Sequence, residues 1–403
     1  MRSTGIGATS ALVFIAALAG CDDGQPASAD PWLHAVAPAT TATVAPIASG
    51  SAAEVPSNVT PLADGGYLPT VPRPAVDGSP FPVPDPLPEC ARPIACDVPP
   101  PAAQKGTPGG RGAGSPPGVV VRVIGKRGTA PGELAYPRAI AAARDGSAYY
   151  VVDKMGRIQK LDRDLHVRAV VRTPEIERGK PTGLYVANNG ELWVSDTHYA
   201  RVLVYSPDLV LLRAWGLPGA EPGRFLFLRD AKEVGDGRIL CADYGDDVAR
   251  VELFSREATF EKQFGTFGVH AGEFQRPMKV AVDLERKELW VADSVNHRLQ
   301  VLDMDGKPRA VIGHLGDEPG CLKYPYDVVL DEKGRAWVAE FGNHRIQVFD
   351  REGHSLATWG KAGRGDGEIG YPWGLALEPD GRLLVIDSGN DRLYELDRRA
   401  LLP

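Results

Sequence analysis

Charged residues that recur at a fixed interval are the first candidates for chemistry in this chain. Asp196, Asp243, Asp293, Glu340 and Asp387 follow one another at spacings of 47, 50, 47 and 47 residues. An arginine follows each a few positions on, as in Asp293 with Arg298, Glu340 with Arg345 and Asp387 with Arg392, and two copies add His297 and His344. Carboxylates and imidazoles so placed could hold a cation or move a proton. Repetition argues otherwise, because a reacting group is needed once whereas a brace is needed in every unit. A guanidinium fork can bond a carboxylate and backbone carbonyls together, so these positions are expected to be structural.

Other chemistry-bearing residues occupy equivalent positions without being repeated. Successive copies open on Pro137, Pro181, Leu228, Pro277, Pro325 and Pro372, and the next residue is in turn Arg138, Thr182, Arg229, Met278, Tyr326 and Trp373. Asp230, Lys279 and Asp327 come one position later. Aromatic faces beside Arg and Lys suit an anionic or saccharide-bearing ligand. The candidate binding set is therefore Arg138, Arg229, Lys279, Tyr326 and Trp373. Two carboxylates among several cations are a poor cage for a hard cation, which takes about six or more oxygens when it is calcium. No metal site and no cofactor are expected, and no Ser-His-Asp order, phosphate-cradling Gly loop or CxxC pattern stands out.

The elements that must position these residues are strands. The fifth copy contains four short runs rich in Val, Ile, Trp and Phe, over 326–330, 335–340, 345–350 and 355–359, each closed by Gly, Asp or Asn. Four strands per period describe a propeller blade. Six starts predict six blades. The last copy has three strands before the chain reaches Pro403, while an isolated strand, VVVRVIG, stands at 119–125. The early strand is expected to complete the last blade and cover its edge.

The motifs then carry a resemblance. FGVHAGEFQRPMKVAVD with WVADSVNHRLQVLD, and GRGDGEIGYPWGLALEPDGRLLVIDSGNDRLYELD, resemble the NHL repeat in its G-x-G-x-x-x-G-E-F turn, its Pro-led first strand and its V-A-D-S-x-N-H-R segment. The resemblance spans about 119–403. It implies an all-β, six-bladed propeller of NHL-type four-stranded repeats, in which the residues flanking each Pro converge on the mouth of a central channel. Related propellers include the amidating lyase and gluconolactonase-like enzymes, which hold a divalent metal in that channel. An exported metal-dependent enzyme of this kind is therefore the alternative function, and catalytic residues are not assigned. Copy three departs most, with Leu228 for Pro and a longer loop between Asp243 and Arg250.

The first 118 residues differ in kind. Residues 1–20 have one cation, Arg2, and an apolar run too short to span a bilayer. They lead to Leu18-Ala19-Gly20-Cys21, which looks like a bacterial lipobox, so 1–20 is expected to be a lipoprotein signal peptide with Cys21 as the lipidated residue. Several acyl chains would anchor the protein stably. Residues 22–118 hold 21 of the 35 prolines, and 21–118 is expected to be a lipidated cysteine followed by a disordered Pro/Ala-rich tether. Export favours a local disulfide between Cys90 and Cys96. Cys241 is expected in the core, and Cys321, in the Glu position of the G-E-F turn, is expected to be partly exposed.

Residues 119–403 carry 40 Lys and Arg against 43 Asp and Glu, a balance that speaks against nucleic acid as a partner. The expectation is a monomeric binding or scaffolding propeller in a bacterial cell envelope, taking an envelope protein, peptide or saccharide.

Overall fold

The computed structural model describes residues 118–245 and 247–402, together with the backbone of 94–98. Val, Ile, Leu and aromatic residues fit a pleated, buried surface, and Gly-rich turns end each run, so every period folds into antiparallel strands. Blade 5 shows the pattern, with Pro325–Leu330, Ala336–Glu340, Arg345–Phe349 and Ser355–Trp359 paired in that order. The first strands of blades 1 to 6 are Pro137–Ala142, Gly183–Val186, Phe227–Glu233, Pro277–Asp283, Pro325–Leu330 and Pro372–Leu377. Each packs beside the next, and the sixth packs beside the first, which closes a six-bladed ring.

Closure uses the early strand. Val120–Ile124 pairs antiparallel with Arg392–Asp397 as the fourth strand of blade 6, setting Val123 opposite Tyr394. Arg122 forms an ion pair with the buried Glu395, and Val119 O accepts from Asp397 N at 2.8 Å. Across the seam between blades 6 and 1, Tyr149 Oη donates to Glu378 at 2.8 Å and Ser388 Oγ to Pro137 O at 2.6 Å. The early strand therefore covers the edge that Arg392–Asp397 would otherwise leave unpaired.

The core lies between facing blades. Tyr150, Val152, Val194 and Leu203 fill the space between blades 1 and 2, and Trp193, Trp215, Phe225 and Phe254 that between blades 2 and 3. Trp337, Ile346, Trp359 and Tyr394 do the same between blades 5 and 6. Cys241 belongs to this interior and Cys321 is partly exposed.

One segment departs from expectation. Ile94–Val98, within the Pro-rich stretch, forms a fifth strand antiparallel to Val167–Arg172 on the outer edge of blade 1. Flanking prolines tolerate this because an edge strand need not donate from both sides. Cys96 falls in that strand with its backbone alone described. Cys21, Cys90 and the leader lie outside the described residues.

Candidate functional site

The turn carrying each repeated acid lies at the same end of the ring as the start of the first strand, since Pro277 is opposite Asp293 and Pro325 opposite Glu340. Asp293 is fully buried and accepts from Gln275 N at 2.7 Å, Asn296 Nδ2 at 2.9 Å and Arg298 Nε at 2.8 Å. The Arg298 Nη atoms donate onward to the carbonyls of Val269, His270 and Glu273. Acid and arginine thus hold the incoming loop against its own blade. Glu340 with Arg345 and Asp387 with Arg392 repeat the arrangement.

Within that loop, a Cβ on Gly268 would stand 2.1 Å from Glu273 Oε2, and its φ is +158°. Only glycine leaves room for the carboxylate to fold back onto His270 N at 3.0 Å. That contact explains the G-x-x-x-G-E part of the repeated turn, from Gly268 to Glu273.

The histidines of the repeated slot link one blade to the next. His297 Nδ1 accepts from Tyr324 N, and His344 Nδ1 from Tyr371 N, each at 3.1 Å; Asp391 Oδ1 does the same for Tyr136 N at 2.6 Å. Tyr136, Tyr324 and Tyr371, like Arg276, precede a Pro and have φ of 51°, 50°, 52° and 61°. Left-handed backbone at non-glycine residues persists only where the surroundings enforce it. For the three tyrosines, the cross-blade hydrogen bond contributes to that constraint.

Side chains from five blades meet just beyond these turns. Arg138 of blade 1 lies 5.2 Å from the Trp373 ring of blade 6, and Arg229 of blade 3 lies 5.9 Å from it. Arg229 is also 5.7 Å from Tyr244, while Arg276, leading into blade 4, is 5.3 Å from Tyr244 and 5.7 Å from Tyr326. Tyr326 of blade 5 stacks on Phe341 at 4.3 Å and meets Trp373 edge-on at 5.0 Å. Cations over aromatic faces are held by the ring quadrupoles.

The electrostatics of this cluster are lopsided. Arg229 is 4% exposed, and its Nε and Nη2 have no hydrogen-bond partner among the described residues. Burial, reinforced by Arg276 and Arg138, brings its guanidinium down to about 10, so it is still charged at neutral pH. Burial would raise the Tyr244 hydroxyl, yet Arg276 and Arg229 hold it below the ordinary tyrosine range. His198 sits against Phe227 at 5.5 Å; although much of the residue is exposed, local desolvation at its ring and then Arg229 and Arg138 lower it to about 4.

Of the five candidates read from the sequence, Arg138, Arg229, Tyr326 and Trp373 are brought together. Lys279 is not. Its Nζ lies 2.8 Å from Asp230 Oδ1, and both residues are buried. Asp230 Oδ2 also accepts from Val280 N at 3.2 Å, and Asp327 Oδ2 from Leu375 N at 2.9 Å, so these acids tie neighbouring first strands together. Burial pushes Asp327 up to about 6 against the pull of Lys279. Acids engaged by an ammonium and by backbone, below a rim of arginines, do not fit the hard-cation cage of the metal-dependent alternative.

Tyr244 and Phe341 were missed by sequence reasoning. A signal existed: the residue after each acid is Lys154, Thr197, Tyr244, Ser294, Phe341 and Ser388, and two of these are aromatic against three small hydroxyl residues.

Six radially arranged blades, each built on four antiparallel strands and the first extended by a fifth, define a β-propeller. The NHL repeat family matches residues 274–302 and 322–349, and the protein is a six-bladed propeller with NHL repeats. Protein brain tumor of Drosophila melanogaster is 33% identical over 79 residues, which make up 20% of this chain and 8% of that protein. The match thus spans under a tenth of that relative. A streptogramin B lyase superposes with a TM-score of 0.50 at 14% identity, covering 66% of this chain and 94% of the other. For a gluconolactonase from Xanthomonas campestris the figures are 0.49, 15%, 66% and 86%. At these identities the likeness to the lyase is one of fold.

Proposed function

We propose that the protein is a lipid-anchored, extracytoplasmic propeller that binds a protein, peptide or saccharide ligand of the cell envelope at its channel mouth. Propellers of NHL repeats commonly serve as interaction modules. The observation that supports this site is the contrast between repeated braces and the unrepeated cluster of Arg138, Arg229, Tyr326 and Trp373. A single asymmetric ligand requires different side chains from each blade, and aromatic and arginine anchors are the residues that dominate binding energy at interfaces.

Pull-down from native envelope tests the site. Alanine at all four positions should abolish capture, while substitutions in the turns at the opposite end, 284–287 and 332–334, should leave it intact. The reverse pattern would remove the site. The anchor has its own test: Cys21→Ser should end fatty-acid labelling and release the protein to the soluble fraction, and unchanged membrane partition would rule out Cys21 as the anchor.

A further inference from the structure

We propose that the channel mouth is an oxyanion site, where Arg229, flanked by Arg138 and Arg276, receives a carboxylate or phosphate group while the rest of the ligand lies against Trp373 and Tyr326. The proposal rests on the binding role given above to the mouth and adds what that mouth selects.

Within the ring, Arg229 is held by aromatic faces and not by an anion. Other deeply buried arginines of the ring have acceptors. Arg157 meets Asp153 at 2.6 Å, Arg213 meets Glu191 at 2.6 Å, Arg250 meets Asp243 at 3.2 Å and Arg398 meets Glu332 at 3.0 Å. Arg229 has aromatic neighbours instead, and two of its nitrogens reach no acceptor. Among the described residues, neither Arg229 nor Arg276 has a carboxylate within ion-pair distance. Asp230, next in the chain, is turned away and bonded to Lys279. A buried cation without an acceptor is a cost that folding alone does not recover.

The arrangement makes sense once an oxyanion arrives. A guanidinium fork matches the oxygens of carboxylate or phosphate, and charge-assisted bonds are strongest where water is excluded. Further guanidinium charge beside Arg229 would stabilise the same group, and the rings of Trp373 and Tyr326 offer flat apolar faces to what the anion is attached to. The nearby acids Asp230 and Asp327 are offset by Lys232 and Lys279 and add no strong net charge of either sign.

The test is thermal unfolding and calorimetric titration of the full chain in detergent, in chloride, inorganic phosphate or citrate at matched ionic strength. Phosphate or citrate should raise the melting temperature of the unsubstituted protein. A response to phosphate alone would identify a phosphate group, and a response to citrate alone a carboxylate. Arg229→Met should weaken the anion about tenfold or more, and in chloride it should melt no lower than the parent, because the substitution removes an unpaired buried charge. A merely structural arginine predicts the opposite: a lower melting temperature with the anion response retained. That result, or no response of the parent to either anion, would overturn the proposal. Should Arg229→Met not fold, Arg276→Gln decides: loss of the response supports the site and full retention overturns it. Envelope capture without any anion response would remove the oxyanion site and leave the binding role standing, whereas an anion response without capture would do the reverse.

Discussion

Blades 4 and 5 close around their arginines with one set of residues and blade 3 with another. In blade 4, Gln300 Oε1 accepts from Gly272 N at 2.8 Å while its Nε2 donates to Glu273 O at 2.6 Å. Gln347 does the same in blade 5 with Gly320 and Cys321. Blade 3 has Glu252 in that slot. Its Oε1 accepts from Gly223 N at 2.7 Å, but its Oε2 is buried without a donor. Arg250 stands seven residues after Asp243 instead of five, on strands lengthened to Ile239–Gly245 and Val248–Phe254. Burial pushes both Asp243 and Glu252 up to about 7 despite Arg250. The blade whose brace departs from that of blades 4 and 5 is also the one that supplies Arg229 and Tyr244 to the mouth. Repeated residues therefore secure the ring, and the departures gather where a ligand would sit.

Two perturbations sharpen that contrast. Asp293→Ala removes the sole carboxylate from the blade 4 brace and should cost about 3–5 kcal/mol in chemical denaturation. Asp243→Asn in blade 3 should cost clearly less, because Glu252 remains 3.6 Å from Arg250. Equal losses would mean that blade 3 is as well braced as its neighbours.

The smaller effect has the opposite sign. Glu252→Gln restores the residue found in blades 4 and 5, and Arg224 O, already used by Arg250 at 2.6 Å, is the equivalent carbonyl for its amide. It should stabilise by about 1–3 kcal/mol at neutral to alkaline pH. The sign follows from linkage: a carboxyl raised on folding favours the native state fully below its ordinary value near 4.5, and that contribution is lost as pH rises through about 7. The gain should therefore vanish below about pH 4.5 and be complete by about pH 8. A gain independent of pH in urea titrations would place its origin elsewhere.

Much of the ring was legible because its signals are local and periodic. The six starts followed from the openings of the copies, Pro-led in all but the third, and the closing strand at 119–125 from the three strands of the last copy. Ile94–Val98 did not, since a five-residue run between prolines becomes a strand only through the edge of blade 1, which lies some 70 residues away in sequence. At the mouth, the position after each Pro gave Arg138, Arg229, Tyr326 and Trp373. The position after that misled for Lys279, whose direction is set by Asp230 of the preceding blade and not by its own sequence neighbourhood. The cross-blade role of His297 and His344 was equally hidden, because their partners are backbone N–H groups 27 residues away.

Ligand is expected to engage one end of the ring, through the unrepeated residues Arg138, Arg229, Tyr326 and Trp373. Hydrogen exchange of the full chain, with and without the envelope ligand recovered by pull-down, tests it most directly. Protection is predicted in the mouth loops 218–227, 266–276, 315–324 and 362–371, with no change in the turns 235–237, 284–287 and 332–334 at the opposite end. Protection confined to those opposite turns, or spread evenly over all six blades, would contradict the account.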